Sequence, residues 1–247
     1  MIKGLGAVYM VEDSDFWLRL SLKSVLPFVD KVVIVAGFGK DIYKNNKMLE
    51  SISAFNDERI EVHSIRYKHE SKSADGEQRN EYLNILKEKY KDWWFLACDE
   101  DEILSDNGYE LRAIAEKAEA LNCECLDIHM EHFIGNFGCV DAMVPQHFVL
   151  RRFFKVHDGL QYPFNEHPIL DGVRGQTYET NDVTLFHCSN MDNMVSVIRK
   201  YHNNLKKSTM HTPEFLSQWK NWHLKGTYKV KEYVGEYPKA LKEEFLL

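Results

Sequence analysis

A short apolar run, Trp93, Trp94, Phe95, Leu96, Ala97 and Cys98, stops in four consecutive acids, Asp99, Glu100, Asp101 and Glu102. Apolar residues without alternation predict a strand buried on both faces. The acids fall where that strand leaves the sheet, which is where open α/β sheets bind ligands. Strand side chains alternate, so Asp99 and Asp101 are expected on one side and Glu100 and Glu102 on the other. Two carboxylates about 4 Å apart repel by roughly 4 kcal/mol at an effective dielectric near 20, so the pair calls for a proton, a basic partner or a divalent cation. The cation is the favoured answer. In the competing view the acids cap a helix expected over 107–121.

The elements that must position these acids are legible on both sides. Gly76, Glu77, Gln78, Arg79 and Asn80 open a segment with Leu83, Leu86 and Tyr90 at helical spacing, so an amphipathic helix leads into the acidic strand. Upstream, 7–10 reads as a strand ended by Glu12 and Asp13, and Leu18, Leu22 and Val25 give the next helix a buried stripe. A strand over 32–35, a helix over 44–55 and a strand over 59–64 follow, and the polar stretch 69–76 reads as a loop. Strands alternating with helices imply βαβ units and a largely parallel sheet. Between 131 and 164, Gly135, Gly138, Pro145, Gly159 and Pro163 break short apolar runs, as expected of a smaller mixed sheet. From Asn190 onward helical periodicity returns, with Trp219, Trp222, Tyr228, Tyr233 and Tyr237 as packing aromatics. The expected organisation is a nucleotide-binding and catalytic unit over 1–189 and a helical extension over 190–247.

The pair Arg79-Asn80 followed by Asp99-Glu100-Asp101-Glu102 resembles the family-2-type glycosyltransferases of the GT-A fold, in which an Arg-Asn helix start precedes the strand carrying an Asp-x-Asp or Asp-x-Asp-Glu metal motif. The likeness spans roughly residues 1–205 and is most specific over 79–102. It includes Glu12 after the first strand, Val29-Asp30-Lys31 before the second, Arg151, Arg152, Phe153, Phe154 and Lys155, and His187 after the apolar 183–186. The resemblance implies an α/β fold with a Rossmann-like, mostly parallel sheet flanked by helices, a small mixed sheet and a helical C-terminal segment. It implies metal-dependent, inverting transfer of a sugar from a nucleotide-sugar donor to a glycan or other hydroxyl acceptor. Asp101 would be the direct metal ligand, Asp99 would touch the ribose or reach the metal through water, and His187 would add a nitrogen. Arg79, Asn80, Asp99 and Glu12 would bind the donor, and Arg79 in particular its diphosphate or sugar; a helix-start arginine also pairs readily with nearby acids. A mixed carboxylate and imidazole set suits Mn²⁺ better than Mg²⁺. Inversion needs a group to take the acceptor proton, and Glu166 and His167, in a turn between Pro163 and Pro168, are the candidates. The chain departs from the family at 36–41, where Ala-Gly-Phe-Gly-Lys-Asp replaces a base-binding aspartate and its loop, and at Glu166-His167, where the family order is His-Glu.

Composition fits an ordinary globular protein, with 44% apolar and 28% charged residues in 247. A net charge of -7 argues against a nucleic-acid partner. A local basic cluster, Arg199, Lys200, Lys206 and Lys207, reads as a solvated helix face or as a counter-charge to a departing pyrophosphate. Cysteines at 98, 123, 125, 139 and 188 match no zinc spacing and suggest a reduced, cytoplasmic setting. The start lacks a signal-peptide pattern, and no stretch approaches the roughly 20 apolar residues of a membrane helix, so a lipid-linked acceptor would be met at the membrane surface. Three other classes stay open. A sugar nucleotidyltransferase would carry a basic, glycine-rich loop where Glu12, Asp13 and Asp15 stand. A phosphatase would place its Asp-x-Asp after the first strand. The third is a noncatalytic nucleotide-sugar or glycan-binding scaffold.

Overall fold

Four strands, β1 (Leu5–Val11), β2 (Lys31–Phe38), β3 (Ile60–Arg66) and β4 (Trp94–Asp99), lie parallel in the order β3-β2-β1-β4. They belong to a computed structural model that describes residues 1–11, 16–38, 42–66, 74–134, 136–141, 150–163, 169–190 and 230–245. Between them run α1 (Phe16–Val25), α2 (Ile42–Ser53) and α3 (Ala74–Lys89), so the expected alternation of strand and helix holds here. Burial separates the two faces of the sheet with a period of two. Ala7, Tyr9, Trp94, Leu96 and Cys98 pack with Leu18, Leu22 and Val25 of α1, whereas Val8, Phe95 and Ala97 pack with Tyr82, Leu83 and Leu86 of α3. Asp99 continues the Phe95 and Ala97 side, which carries it toward the first turns of α3.

Past β4 the strands turn antiparallel. The remaining strands are β5 (Glu102–Leu104), β6 (Cys125–Ile134), β7 (Asn136–Asp141), β8 (Leu150–Lys155), β9 (Thr177–Asn190) and β10 (Val230–Glu232). The path continues β4-β8-β6-β7-β10, all antiparallel, while β9 runs parallel to β6 and antiparallel to β5. The expected mostly parallel sheet with a separate small sheet is corrected accordingly: the described strands make one ten-stranded mixed sheet. The physical reason is connection length. After α4 (Leu111–Ala120), β6 and β7 are too close in sequence for the helical crossover that a parallel neighbour requires.

Helix α1 fixes β5 through two buried serines. Ser21 Oγ donates to the Glu102 carbonyl, and Ser24 Oγ accepts the Leu104 N–H at 2.9 Å. None of the four acids caps α4: a single 3-10 turn, 108–110, precedes it, and neither start has a side-chain cap bond. Residues 230–245 contribute the edge strand β10 as well as a helix, α5 (Lys239–Phe245), so the described part of the expected helical C-terminal segment holds a strand too. Asp106 accepts the Lys239 N–H at 2.8 Å at the start of α5, Arg19 pairs with Glu244 at 2.7 Å, and Leu241 is buried with Trp17, Phe133 and Phe186. Residues 191–229, with Trp219, Trp222, Tyr228 and the basic cluster, lie outside the described residues. Among the described residues no helix is long and apolar enough to cross a membrane.

Candidate active site

The acidic run does not continue as a strand. The chain turns at Glu100 and Asp101, and Glu102 begins β5. This overturns the expected alternation. The turn brings the Glu102 carboxylate back beneath β4, where it accepts the Asp99 N–H at 2.9 Å. Asp99 and Glu102 then share a guanidinium: Arg152 Nη2 lies 2.7 Å from Asp99 Oδ2 and 2.7 Å from Glu102 Oε1. Arg79 reaches Asp99 from α3 at 3.0 Å. The arginines supply the basic partner that the like-charge argument demanded, so at Asp99 and Glu102 no cation is needed to balance the charge.

Burial sets the protonation of this cluster. Glu102 is almost fully enclosed, and burial, with Asp99 and Asp101 adding to it and Arg152 opposing, pushes its carboxyl up to about 8. Burial opposes ionisation of Asp99 too, but Arg152 and Arg79 outweigh it and hold that carboxyl well below the usual carboxylate range. Arg152 went unassigned from sequence alone, where it was only one residue of a family-like segment. The signal was two adjacent arginines between Leu150 and Phe153, since alternation sends one to each face and an arginine turned inward needs partners.

A second group forms where β5, β9 and β6 lie side by side. Glu102 registers with His187, and His187 with His132, so the three occupy one row across the sheet. Residues paired across strands point to the same face. His132 Nδ1 is 3.0 Å from His187 Nδ1, and His187 Nε2 is 3.8 Å from Asp101 Oδ1. Asp101 is tied to the same strand by its carbonyl, which accepts the Cys188 N–H at 2.9 Å. Burial, with His187 and Arg152 nearby, holds His132 down at about 3, so it is neutral at pH 7.

Of the residues singled out from sequence, Asp99, Asp101, Arg79 and His187 thus meet at the carboxyl end of β4. Asn80 is adjacent but differently occupied: its Nδ2 donates to the Tyr162 carbonyl and its Oδ1 accepts the Tyr162 N–H, each at 2.8 Å. It clamps the segment on which Tyr162 sits, and the Tyr162 hydroxyl accepts a 2.6 Å bond from Tyr82. Glu12, Glu166 and His167 lie outside the described residues. Cys98, Cys123, Cys125 and Cys188 are buried free thiols.

Among the described residues no group of three or more His, Cys, Asp or Glu side chains is placed to hold a metal ion. Asp101 and His187 nevertheless fit a shared ion. Two atoms each about 2.1 Å from one ion lie at most about 4.2 Å apart, and the remaining positions of such an ion are commonly filled by water and substrate phosphates. The 3.8 Å between Asp101 and His187 is within that span. Asp99, by contrast, has both oxygens in contact with guanidinium groups.

The raised Glu102 carboxyl has a consequence for stability. The folded state holds the proton more tightly than the unfolded chain, so this group's contribution is fully present below 4.5 and is lost as pH rises through about 8. His132 acts oppositely between about 3 and 6.5, where the folded state holds fewer protons. The Glu102 effect therefore stands clear above 6.5. In chelator, urea unfolding of the parent should lose on the order of 1 kcal/mol between about pH 6.5 and pH 8 relative to Glu102→Gln. Parallel curves for the two proteins would contradict the assignment.

No protein-family model matches this sequence, and no curated protein matches it either. Similarity appears among solved structures. The crystal structure of S. aureus TarS 1-349 superposes with a TM-score of 0.52 at 11% identity, over 90% of this chain and 75% of that one. The chain accordingly shares the mixed α/β fold of that structure.

Proposed function

We propose that this chain is a glycosyltransferase that moves a sugar from a nucleotide-sugar donor to an acceptor hydroxyl with the help of a divalent cation, Mn²⁺ or Mg²⁺. The observation that carries the proposal is the gathering of Asp99, Asp101, Arg79 and His187 at the carboxyl end of one buried strand, the edge where such sheets bind ligands. The fold shared with TarS, a glycosyltransferase, supports it. Asp101 and His187 would hold the cation, which would supply Lewis acidity at the departing diphosphate. Arg79 answers the diphosphate charge, and Asp99, kept ionised by its two arginines, accepts hydrogen bonds from the donor's ribose. Arg152 and Glu102 keep Asp99 in place without touching substrate. Glu166 or His167 takes the acceptor proton as the new bond forms.

The test is release of nucleoside diphosphate from a panel of nucleotide sugars with hydroxyl acceptors, in Mn²⁺ and in chelator. Release in Mn²⁺ alone is expected. Neither binding nor release with any donor would contradict the proposal, and binding without release would indicate a nucleotide-sugar-binding scaffold instead.

A further inference from the structure

We propose that His132 is a positioning residue for His187: it accepts the His187 Nδ1–H and so holds His187 in the tautomer whose Nε2 lone pair faces Asp101. The inference rests on the metal reading above and adds to it a residue with no predicted role. Its basis is geometric. The two histidines are paired across β6 and β9, their ring centroids are 4.8 Å apart at 70°, and their Nδ1 atoms are 3.0 Å apart.

A 3.0 Å contact between two Nδ1 atoms is a hydrogen bond only if one of them carries the proton and the other does not. With both rings neutral, two arrangements satisfy this. If His132 donates, His187 must be protonated at Nε2 and directs that N–H toward Asp101 Oδ1 at 3.8 Å, too long for a hydrogen bond. If His187 donates, its Nε2 is a bare lone pair, and the same 3.8 Å separates two electron-rich atoms. A cation between them relieves that repulsion and makes both atoms ligands. Ligating histidines characteristically donate their other ring N–H to a fixed acceptor, which sets ring orientation and basicity. On this chain that acceptor is an imidazole on the neighbouring strand, and its own position is set by backbone pairing and not by a loop.

The experiment uses the full chain with Mn²⁺–pyrophosphate as probe, since pyrophosphate supplies diphosphate oxygens whatever base the donor carries. His132→Phe keeps a ring and removes the acceptor; His132→Asn restores an acceptor oxygen near the Nδ1 position. Affinity for Mn²⁺–pyrophosphate is expected to fall about 10- to 100-fold in His132→Phe and to recover in His132→Asn. A residue that only fills space would affect melting temperature and leave this difference absent. In the parent, ¹⁵N NMR with the diamagnetic Mg²⁺–pyrophosphate complex should show His187 protonated at Nδ1. Protonation at Nε2 in the bound protein, or parental affinity in a folded His132→Phe, overturns the positioning role while leaving the metal reading intact. Failure of the parent to bind the complex at all overturns both.

Discussion

Replacing Arg152 by methionine is expected to destabilise the protein by about 3–5 kcal/mol, the range seen when one partner of a buried ion pair is removed. Arg152 is buried and bonded at 2.7 Å to both Asp99 and Glu102, so its loss strands one ionised and one readily protonated carboxyl in the same enclosure. Arg79 remains on Asp99 at 3.0 Å and offsets only part of the loss. Because Arg152 opposes the burial-driven rise of Glu102, that carboxyl stays neutral without it and the stranded charge is that of Asp99, so the loss should be partly reversed by adding Asp99→Asn. Urea unfolding of the two single variants and the double variant gives the coupling directly. A loss under about 1 kcal/mol in Arg152→Met would mean that the cluster is solvated and that Asp99 does not depend on it.

Much of this cluster was visible in the sequence, and the unread part has a definite cause. The run 94–98 declared a strand buried on both sides, and Leu83 and Leu86 declared the helix that covers it; all are buried. The turn at Glu100 and Asp101 was missed because aspartate serves both as a turn former and as a ligand, and with no Gly, Pro or Asn beside it the run was read for its charge alone. Without that turn Glu102 is assigned to the wrong side, and Arg152 has no evident partner. The antiparallel half of the sheet was hidden for another reason. Which strands become neighbours, and in which direction, follows from how the chain returns and not from residue type, so the polar residues of β6 gave no hint that β9 would lie parallel to it and set His187 beside His132. Sequence could mark His187 as a ligand candidate but could not name its neighbour.

The variant Asp101→Asn is expected to cut transfer by at least roughly a hundredfold, since a metal's Lewis acidity is worth several kcal/mol at the departing phosphates. Its fold should survive. The Asp101 side chain lies outside the Arg152 cluster, and its carbonyl bond to Cys188 is untouched by the change. Asp99→Asn should behave differently, losing stability together with activity, because its charge is the counterpart of two arginines.

In the proposed site Asp101 and His187, the two ligands named among the described residues, would leave the coordination shell incomplete, so cation and diphosphate would complete one another. The decisive measurement is calorimetric titration of the parent and Asp101→Asn with Mn²⁺ alone, with pyrophosphate in chelator, and with the Mn²⁺–pyrophosphate complex. The parent should bind the complex at least about tenfold more tightly than either component, the gain expected when each ligand completes the other's site, and Asp101→Asn should lose that gain. Equal affinity of the parent for pyrophosphate with and without Mn²⁺, or an unchanged gain in Asp101→Asn, would contradict the metal-assisted donor site.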